Sequence, residues 1–214
     1  MDEEKTKTEE LAVTPAKADI AVIDGPQNIW NNQELYKIAI NQAKVLASSE
    51  LVPETYRGKP ANCLIALDMA YRMNMSPLNV MQNLFVVKGR PGWSGQYCIA
   101  AINACGRFSP LEFVRLLDDK GNLKGYYAKA TNVLTGMICE GSPITWDMVR
   151  GEGWYDKAGS KWKTMPDQMF KYRCAAFFAR TFCPEVLNGL QTVEELRDVR
   201  GYDVVTLDDT GEKT

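Results

Sequence analysis

Hydrophobic and polar positions divide the chain into a helical first part, a β-rich middle and a helical last part. Apolar positions between 35 and 45 recur at helical spacing after Asn31 or Asn32, either of which can cap a helix. A second amphipathic helix is expected over ANCLIALDMAYRMNM. Ser76 followed by Pro77 marks a third, because serine caps helices and proline fits a first turn. FVVKG then favours a strand, GRPGWSG a turn, and QYCIAAINACGRF a helix that ends at Gly106.

The middle of the chain favours three strands: LEFVRLL, KGYYAKAT and LTGMICEG, joined by short turns. A short helix capped near Ser142 should follow them, and then a loop rich in glycine, lysine and tryptophan. The longest helix is expected to open at Thr164, with Pro166 near its first turn, and to run through residue 182, because Pro184 prevents continuation.

The last short helix, TVEELRDV, begins with a capping-box pattern at Thr192 and Glu195. This order of elements predicts an α+β fold: a three-stranded antiparallel sheet packed on a long C-terminal helix, with an N-terminal helical lobe. We expect a disordered acidic leader over residues 1–30, a single domain over residues 31–199, and a flexible acidic tail over residues 200–214.

Composition narrows the class of protein. The chain has 214 residues, of which 45% are hydrophobic and 24% charged, as in an ordinary compact domain. No apolar run approaches the roughly 18 residues of a membrane helix, and the start is acidic, so a cytoplasmic protein without a membrane partner is expected. Six cysteines lack metal-ligand spacing and histidine is absent. We therefore predict reduced, buried thiols, no cofactor and no enzymatic mechanism based on histidine.

Charge is unevenly distributed along the chain. The formal net charge is -2, but residues 1–30 and residues 194–214 each contain seven acids and three bases. The residues between them therefore hold 19 bases and 13 acids. A basic centre with acidic ends suits a surface that binds a polyanion, for which the acidic ends would compete. A solvated charged face remains the alternative.

The long helix carries a cationic stripe. At about 100° per residue, Arg173 and Arg180 share one stripe with Met169, Ala176 and Phe177. An unpaired buried guanidinium is costly, so two interpretations stay open. Either acidic side chains pair the arginines where the helix meets the sheet, or the arginines line a groove that receives an anion.

Further cations and aromatic residues accompany this stripe. Cations interleaved with aromatic rings suit single-stranded nucleic acid, because phosphates need charge and bases stack on rings. The alternative is that the tryptophans are packing residues. The candidate contacts outside the helix are Lys161, Lys163 and Thr164 before it, Arg90, Trp93 and Gln96 around the glycine-rich turn, and Lys129. Tyr126, Tyr127 and Lys129 alternate across one strand, so only one face of the sheet can contact DNA.

Two segments resemble the RecT family of phage and prophage single-strand annealing recombinases. They are WKTMPDQMFKYRCAAFFARTFCPEVLNGLQTVEEL and SPLNVMQNLFVVKGRPGWSGQYCIAAINACGRFSPL, and the resemblance extends over about residues 50–200. It implies that Arg173 and Arg180 occupy the cationic positions of the family's helix, including its distant Red-beta branch. It also implies that Gln168 and Lys163 contact the DNA backbone. Asp167 departs from Red-beta, which has a basic residue there, and suits the helix dipole instead.

The resemblance implies a function and partners. Family members bind single-stranded DNA without ATP, anneal complementary strands into duplex, and assemble as rings or helical filaments. A partner exonuclease and the host single-strand-binding protein are further candidate partners on the same basis. The absence of a Gly-Lys-Ser/Thr phosphate loop agrees with annealing that needs no nucleotide.

Two rival functions remain open. One is a structural or interaction protein of phage origin, whose basic groove binds acidic protein surfaces. The other is a metal-dependent nuclease that uses Asp68, Glu112 and Glu140, although acids on separate elements more often serve as solvated or capping residues.

Overall fold

The computed structural model describes residues 29–87 and 89–198 and shows an α+β fold, which confirms the predicted class. Seven α-helices lie within these residues: α1 Gln33–Ser48, α2 Pro60–Met73, α3 Pro77–Asn83, α4 Gly95–Ala104, α5 Trp146–Gly151, α6 Pro166–Phe182 and α7 Val193–Asp198. The strands are β1 Leu84–Val87, β2 Arg90–Trp93, β3 Glu112–Leu117, β4 Leu123–Thr131, β5 Ile138–Glu140 and β6 Ile144–Thr145. A 3-10 turn at Pro184–Leu187 separates α6 from α7.

The main sheet is antiparallel and has four strands, not the three that the sequence predicts. Its order is β3-β4-β5, and β6 pairs with the other end of β4, so that Gly125 faces Thr145 across the ladder. The segment of β6 was expected to belong to a short helix capped near Ser142. The cap is instead Thr145, whose side chain accepts a hydrogen bond from the Met148 amide at the start of α5.

A separate two-stranded hairpin, β1–β2, lies beside α7. The sequence predicted a turn at residues 89–95, but Arg90–Trp93 forms β2, paired antiparallel with β1. Gly92 permits this arrangement, because a Cβ there would lie 2.5 Å from Leu196 Cδ1 of α7. The Trp93 amide donates to the Gln191 carbonyl at 3.0 Å and so ties the hairpin to the segment before α7.

Helix α6 packs on the inner face of the main sheet. Tyr126 of β4 lies against Phe170, with ring centroids 5.4 Å apart, and Phe108 makes an edge contact with Phe178. The Cys174 thiol lies 3.3 Å from the Tyr126 carbonyl. The apolar side chains of α6 are thus a large part of the core. Each large apolar side chain that is fully buried stabilises the fold by about 1.5–3 kcal/mol.

Helices α1 and α2 pack against each other before the first strand. Asn32 caps α1 as expected, since its Oδ1 accepts from the amides of Glu34 and Leu35. Alanines at positions 39, 43 and 47 form the buried stripe of α1, which lets α2 approach closely.

The predicted ends of the domain lie mostly outside the described residues. Of the leader, residues 1–30, the structure describes Ile29 and Trp30, and Ile29 is buried. The disordered leader stays a prediction, since residues 1–28 lie outside the described residues. The predicted tail, residues 200–214, and the last residue of the predicted domain lie outside the described residues.

Candidate nucleic-acid interface

Arg173 lies at the centre of the cationic stripe and is buried, with 4% of its side chain exposed. Its Nη2 donates to an Asp198 carboxylate oxygen, and its Nη1 lies 3.8 Å from Glu195 Oε1. Its guanidinium carbon lies 3.9 Å from the centroid of Trp154, a cation–π contact. Of the two interpretations that the sequence left open, the paired arginine describes Arg173, although its acidic partners come from α7.

Arg180 lies two helical turns beyond Arg173 on the same stripe, and its side chain is more exposed than that of Arg173. Its Nη2 contacts Glu195 Oε1, and 46% of its side chain is exposed. Its guanidinium carbon lies 5.4 Å from the Phe177 ring centroid. Within the described residues, Arg180 therefore has one carboxylate partner, Glu195, and part of its surface is accessible to solvent.

Both arginines line an open pocket of about 460 Å³, which we call the arginine pocket. Trp154 and Phe177 supply aromatic walls, and three acids, Glu152, Glu195 and Asp198, are part of the lining. Within the described residues, the Nε of Arg173 has no hydrogen-bond partner. The pocket thus combines cations, aromatic rings and a spare donor with carboxylates that neutralise the cations.

Burial affects the charge of both arginines in the same direction. Burial lowers the pKa of Arg173, and the acids around it, Asp198 foremost, oppose that change. Burial also lowers the pKa of Arg180, and the positive charge of Arg173 lowers it further. Since a guanidinium titrates far above neutral pH, both side chains remain charged.

The loop before α6 presents three of the predicted contact residues to solvent. Lys161, Lys163 and Thr164 are exposed, and Lys163 Nζ lies 5.3 Å from the Tyr155 ring centroid. Trp162, between the two lysines, is buried. It is a packing residue, as the alternative interpretation of the tryptophans had it.

An aromatic stack connects this loop to the arginine pocket. The rings of Trp154 and Trp162 are stacked, with centroids 5.7 Å apart, and Trp162 also makes an edge contact with Phe170 of α6. Trp154 also contacts Arg173. The loop that carries Lys161 and Lys163 is therefore linked to Arg173 through the rings of Trp162 and Trp154. Gln168, near the start of α6, is partly exposed.

The predicted residues around the glycine-rich turn do not form one cluster with the arginines. Trp93 is fully buried and stacks on Tyr97 with centroids 4.3 Å apart, so a nucleobase has no access to its ring in this structure. The assignment of Trp93 as a stacking surface is corrected on this ground. Arg90 is exposed at the start of β2. Gln96 lines a different pocket, of about 610 Å³, beside α2, α3 and α4.

The structure answers which face of the sheet is accessible. Tyr126 points to α6, whereas Tyr127 and Lys129 lie on the opposite face, which α6 does not cover. Lys129 Nζ pairs with Glu112 at 3.1 Å, and this hydrogen bond raises the pKa of Lys129. Glu140 faces Lys129 from β5, so this lysine is surrounded by acids.

Two of the three candidate nuclease acids lie on the two strands that flank β4, and the third lies on a helix. Glu112 and Glu140 flank Lys129, while Asp68 lies on α2 and pairs with Arg72 at 2.7 Å. Within residues 29–87 and 89–198, no group of three or more His, Cys, Asp or Glu side chains is placed to hold a metal ion.

Among the arginine-pocket residues that sequence reasoning missed are Trp154, Glu152 and Asp198. Glu195 was recognised only as a capping residue, and it has that role, since its Oε2 accepts from the Thr192 amide at 2.8 Å. The capping-box pattern marks the start of α7. It was the available signal that a helix with acidic residues follows α6.

Comparisons with known proteins leave the resemblance to RecT as a proposal. No family model, no curated protein and no solved structure matches this chain. Among the helices of the described residues, none is long and apolar enough to cross a membrane.

Proposed function

We propose that this protein binds single-stranded DNA and anneals complementary strands without a nucleotide cofactor, acting as a homo-oligomer. It would thus be a member of the RecT class of annealing proteins. The arginine pocket carries the proposal, because it sets guanidinium groups against aromatic rings in an open depression. Charge for phosphates and ring surfaces for bases are the two requirements of single-strand binding.

The exposed loop cations extend this chemistry beyond the pocket. Lys161 and Lys163 are exposed on the loop before α6, on either side of Trp162, which stacks on Trp154 of the pocket lining. Phosphates neutralised by such cations release counterions, which drives binding independently of sequence. The bases then remain free to pair with a second strand.

Assembly into an oligomer would let weak contacts add along one strand. Four large apolar side chains are exposed around the β4–β5 turn, and such clusters commonly mark protein contact sites. They are Val133, Leu134, Met137 and Ile138, of which Leu134 is 89% exposed. This cluster supports the oligomeric part of the proposal.

A second candidate function is supported by α7. This helix carries Glu195 and Asp198 into the arginine pocket, so an acidic peptide segment already occupies part of it. A protein that binds acidic segments of other proteins would use the same contacts. This is the interaction-protein alternative.

An annealing assay without ATP tests the proposal. Two complementary oligonucleotides that carry a donor and an acceptor dye should pair faster when the protein is added. The double variant Lys161→Gln/Lys163→Gln should slow this pairing several-fold, because two exposed phosphate-binding charges are lost. The matched control is Lys37→Gln/Lys44→Gln, which removes two exposed lysines of α1 and should anneal like the unmodified protein.

Other outcomes of this assay contradict annealing. Binding of the oligonucleotide without faster pairing, together with displacement of the DNA by polyglutamate, favours the interaction protein. Shortening of the strands that depends on added Mg²⁺ favours the nuclease.

A further inference from the structure

The last turn of α7 places a carboxylate on the buried arginine. Asp198 contacts Arg173 Nη2 through Oδ2, and Lys157 Nζ through Oδ1 at 3.0 Å. Its side chain is 13% exposed. Lys157 thus holds Asp198 against Arg173, and a carboxylate on a guanidinium has the charge and the paired oxygens with which a phosphate would bind the same arginine.

The start and the end of α7 are held in different ways. The segment before the helix is tied to β2 by a backbone hydrogen bond from Trp93 to Gln191, and Leu196 is buried near Gly92. Asp198, the final residue of the helix, is held by its ion pairs with Arg173 and Lys157. The carboxylate can therefore leave the arginine while the apolar side of α7 stays in place.

The arginine pocket also retains room and an unused donor. The pocket is about 460 Å³ in volume with α7 in place. Arg173 is buried, yet within the described part of the chain its Nε makes no hydrogen bond. A buried donor without an acceptor is costly, so an anion that reached Arg173 could satisfy more of its N–H groups than Asp198 does.

We propose that Asp198 is an internal competitor of the DNA phosphate. It occupies Arg173 in the free protein and is displaced when single-stranded DNA enters the arginine pocket. This inference rests on the proposed function and adds a regulatory step to it. An anion that binds Arg173 more weakly than Asp198 does would not displace the carboxylate.

The first test is Asp198→Asn, with binding of a fluorescent oligothymidylate followed by anisotropy. Removing the competing charge should lower the Kd roughly three- to tenfold. The variant should also melt at a lower temperature, because Arg173 loses its ionised partner, and the oligonucleotide should raise its Tm more than that of the unmodified protein. Glu34→Gln is the control, since it removes the same charge from an exposed pair with Lys37 on α1.

The second test uses two lysines whose removal should have opposite effects. Lys157→Gln loosens Asp198 without altering Arg173, so the oligonucleotide should bind more tightly although a positive charge is lost. Lys161→Gln removes an exposed lysine of the same loop and should weaken binding. If Asp198→Asn does not fold, Lys157→Gln decides the question.

The outcomes separate this inference from the proposed function. If the unmodified protein binds DNA and Lys161→Gln weakens binding, but neither Asp198→Asn nor Lys157→Gln tightens it, the competitor role is overturned and the function stands. If none of these proteins binds the oligonucleotide, both are overturned. Binding that appears only in Asp198→Asn or Lys157→Gln supports both.

Discussion

Asp167, at the start of α6, is a residue whose charge stabilises the fold. Tyr126 of β4 donates its hydroxyl to Asp167, and Lys171 Nζ lies 2.7 Å from the second carboxylate oxygen. The acid thus connects the first turn of α6 both to the sheet and to the next turn of its own helix. The position of Asp167 in the first turn of α6 agrees with the stabilising role that the sequence indicated for it.

Replacing this acid should give a pH-dependent loss of stability. The hydrogen bond from Lys171, followed by that from Tyr126, lowers the pKa of Asp167 below its ordinary value of 3.8. A lowered folded-state pKa stabilises the protein above pH 3.8, and this contribution disappears as the pH falls through the folded-state value. Asp167→Asn should therefore lower the free energy of unfolding at pH 7 by about 0.5–1.5 kcal/mol, a modest figure because the side chain is half exposed.

Urea unfolding at pH 7, 5 and 3 measures this difference. The two proteins should differ fully at pH 7 and 5 and converge toward pH 3. Asp119→Asn, in the exposed turn between β3 and β4, is the control and should be close to neutral. A difference that persists undiminished at pH 3 would show that geometry, rather than charge, is responsible.

Residue-level prediction from sequence was limited by partners distant in the chain. The stripe of Arg173 and Arg180 follows from helical periodicity alone, and the structure places both in one pocket. That Arg173 is buried depends on Asp198 and Trp154, which lie 25 and 19 positions away along the chain. Nothing local encodes such contacts, so the sequence left the paired and the groove interpretations open.

At the level of secondary structure, the sequence predicted helix ends correctly where a capping residue or a proline sets them. Helix α6 ends before Pro184 as expected, although it begins at Pro166 rather than at Thr164, and Asn32 caps α1. The capping box of Thr192 and Glu195 is formed. Strands β2 and β6 were missed, because their existence depends on pairing with β1 and β4 rather than on their own residues.

Gly125 offers a test of how closely β6 approaches β4. A Cβ at this position would lie 2.1 Å from the Ile144 carbonyl oxygen and 2.9 Å from Thr145 Cα, and backbone atoms cannot rotate away. Gly125→Ala should therefore push β6 off the sheet and destabilise the protein by about 1–3 kcal/mol. Thermal unfolding followed by circular dichroism measures the change.

The matched control is Gly151→Ala at the end of α5. A Cβ at Gly151 meets no atom within 4 Å, so this substitution should be neutral or slightly stabilising. Equal Tm values for the Gly125 and Gly151 variants would contradict the close pairing of β6 with β4.

At the scale of the whole molecule, the uneven charge predicts how binding depends on salt. The overall charge of -2 would repel a polyanion, but the chain between residues 30 and 194 holds 19 bases and 13 acids. Several of the bases are already paired within the fold, as Arg173 and Lys129 are, so the number of phosphates contacted by one protomer must be smaller than the number of bases.

Affinity for an oligothymidylate should therefore fall linearly with salt on a double logarithmic plot. For single strands the slope is about -0.7 for each phosphate neutralised. Lys161→Gln/Lys163→Gln should make the slope shallower by about 1.4, whereas Lys37→Gln/Lys44→Gln should leave it unchanged. Titrations at four salt concentrations give these slopes directly. An affinity that is constant from low to moderate salt would mean that the protein does not recognise phosphates. An unchanged slope in the Lys161→Gln/Lys163→Gln variant would mean that the phosphates do not contact the loop before α6.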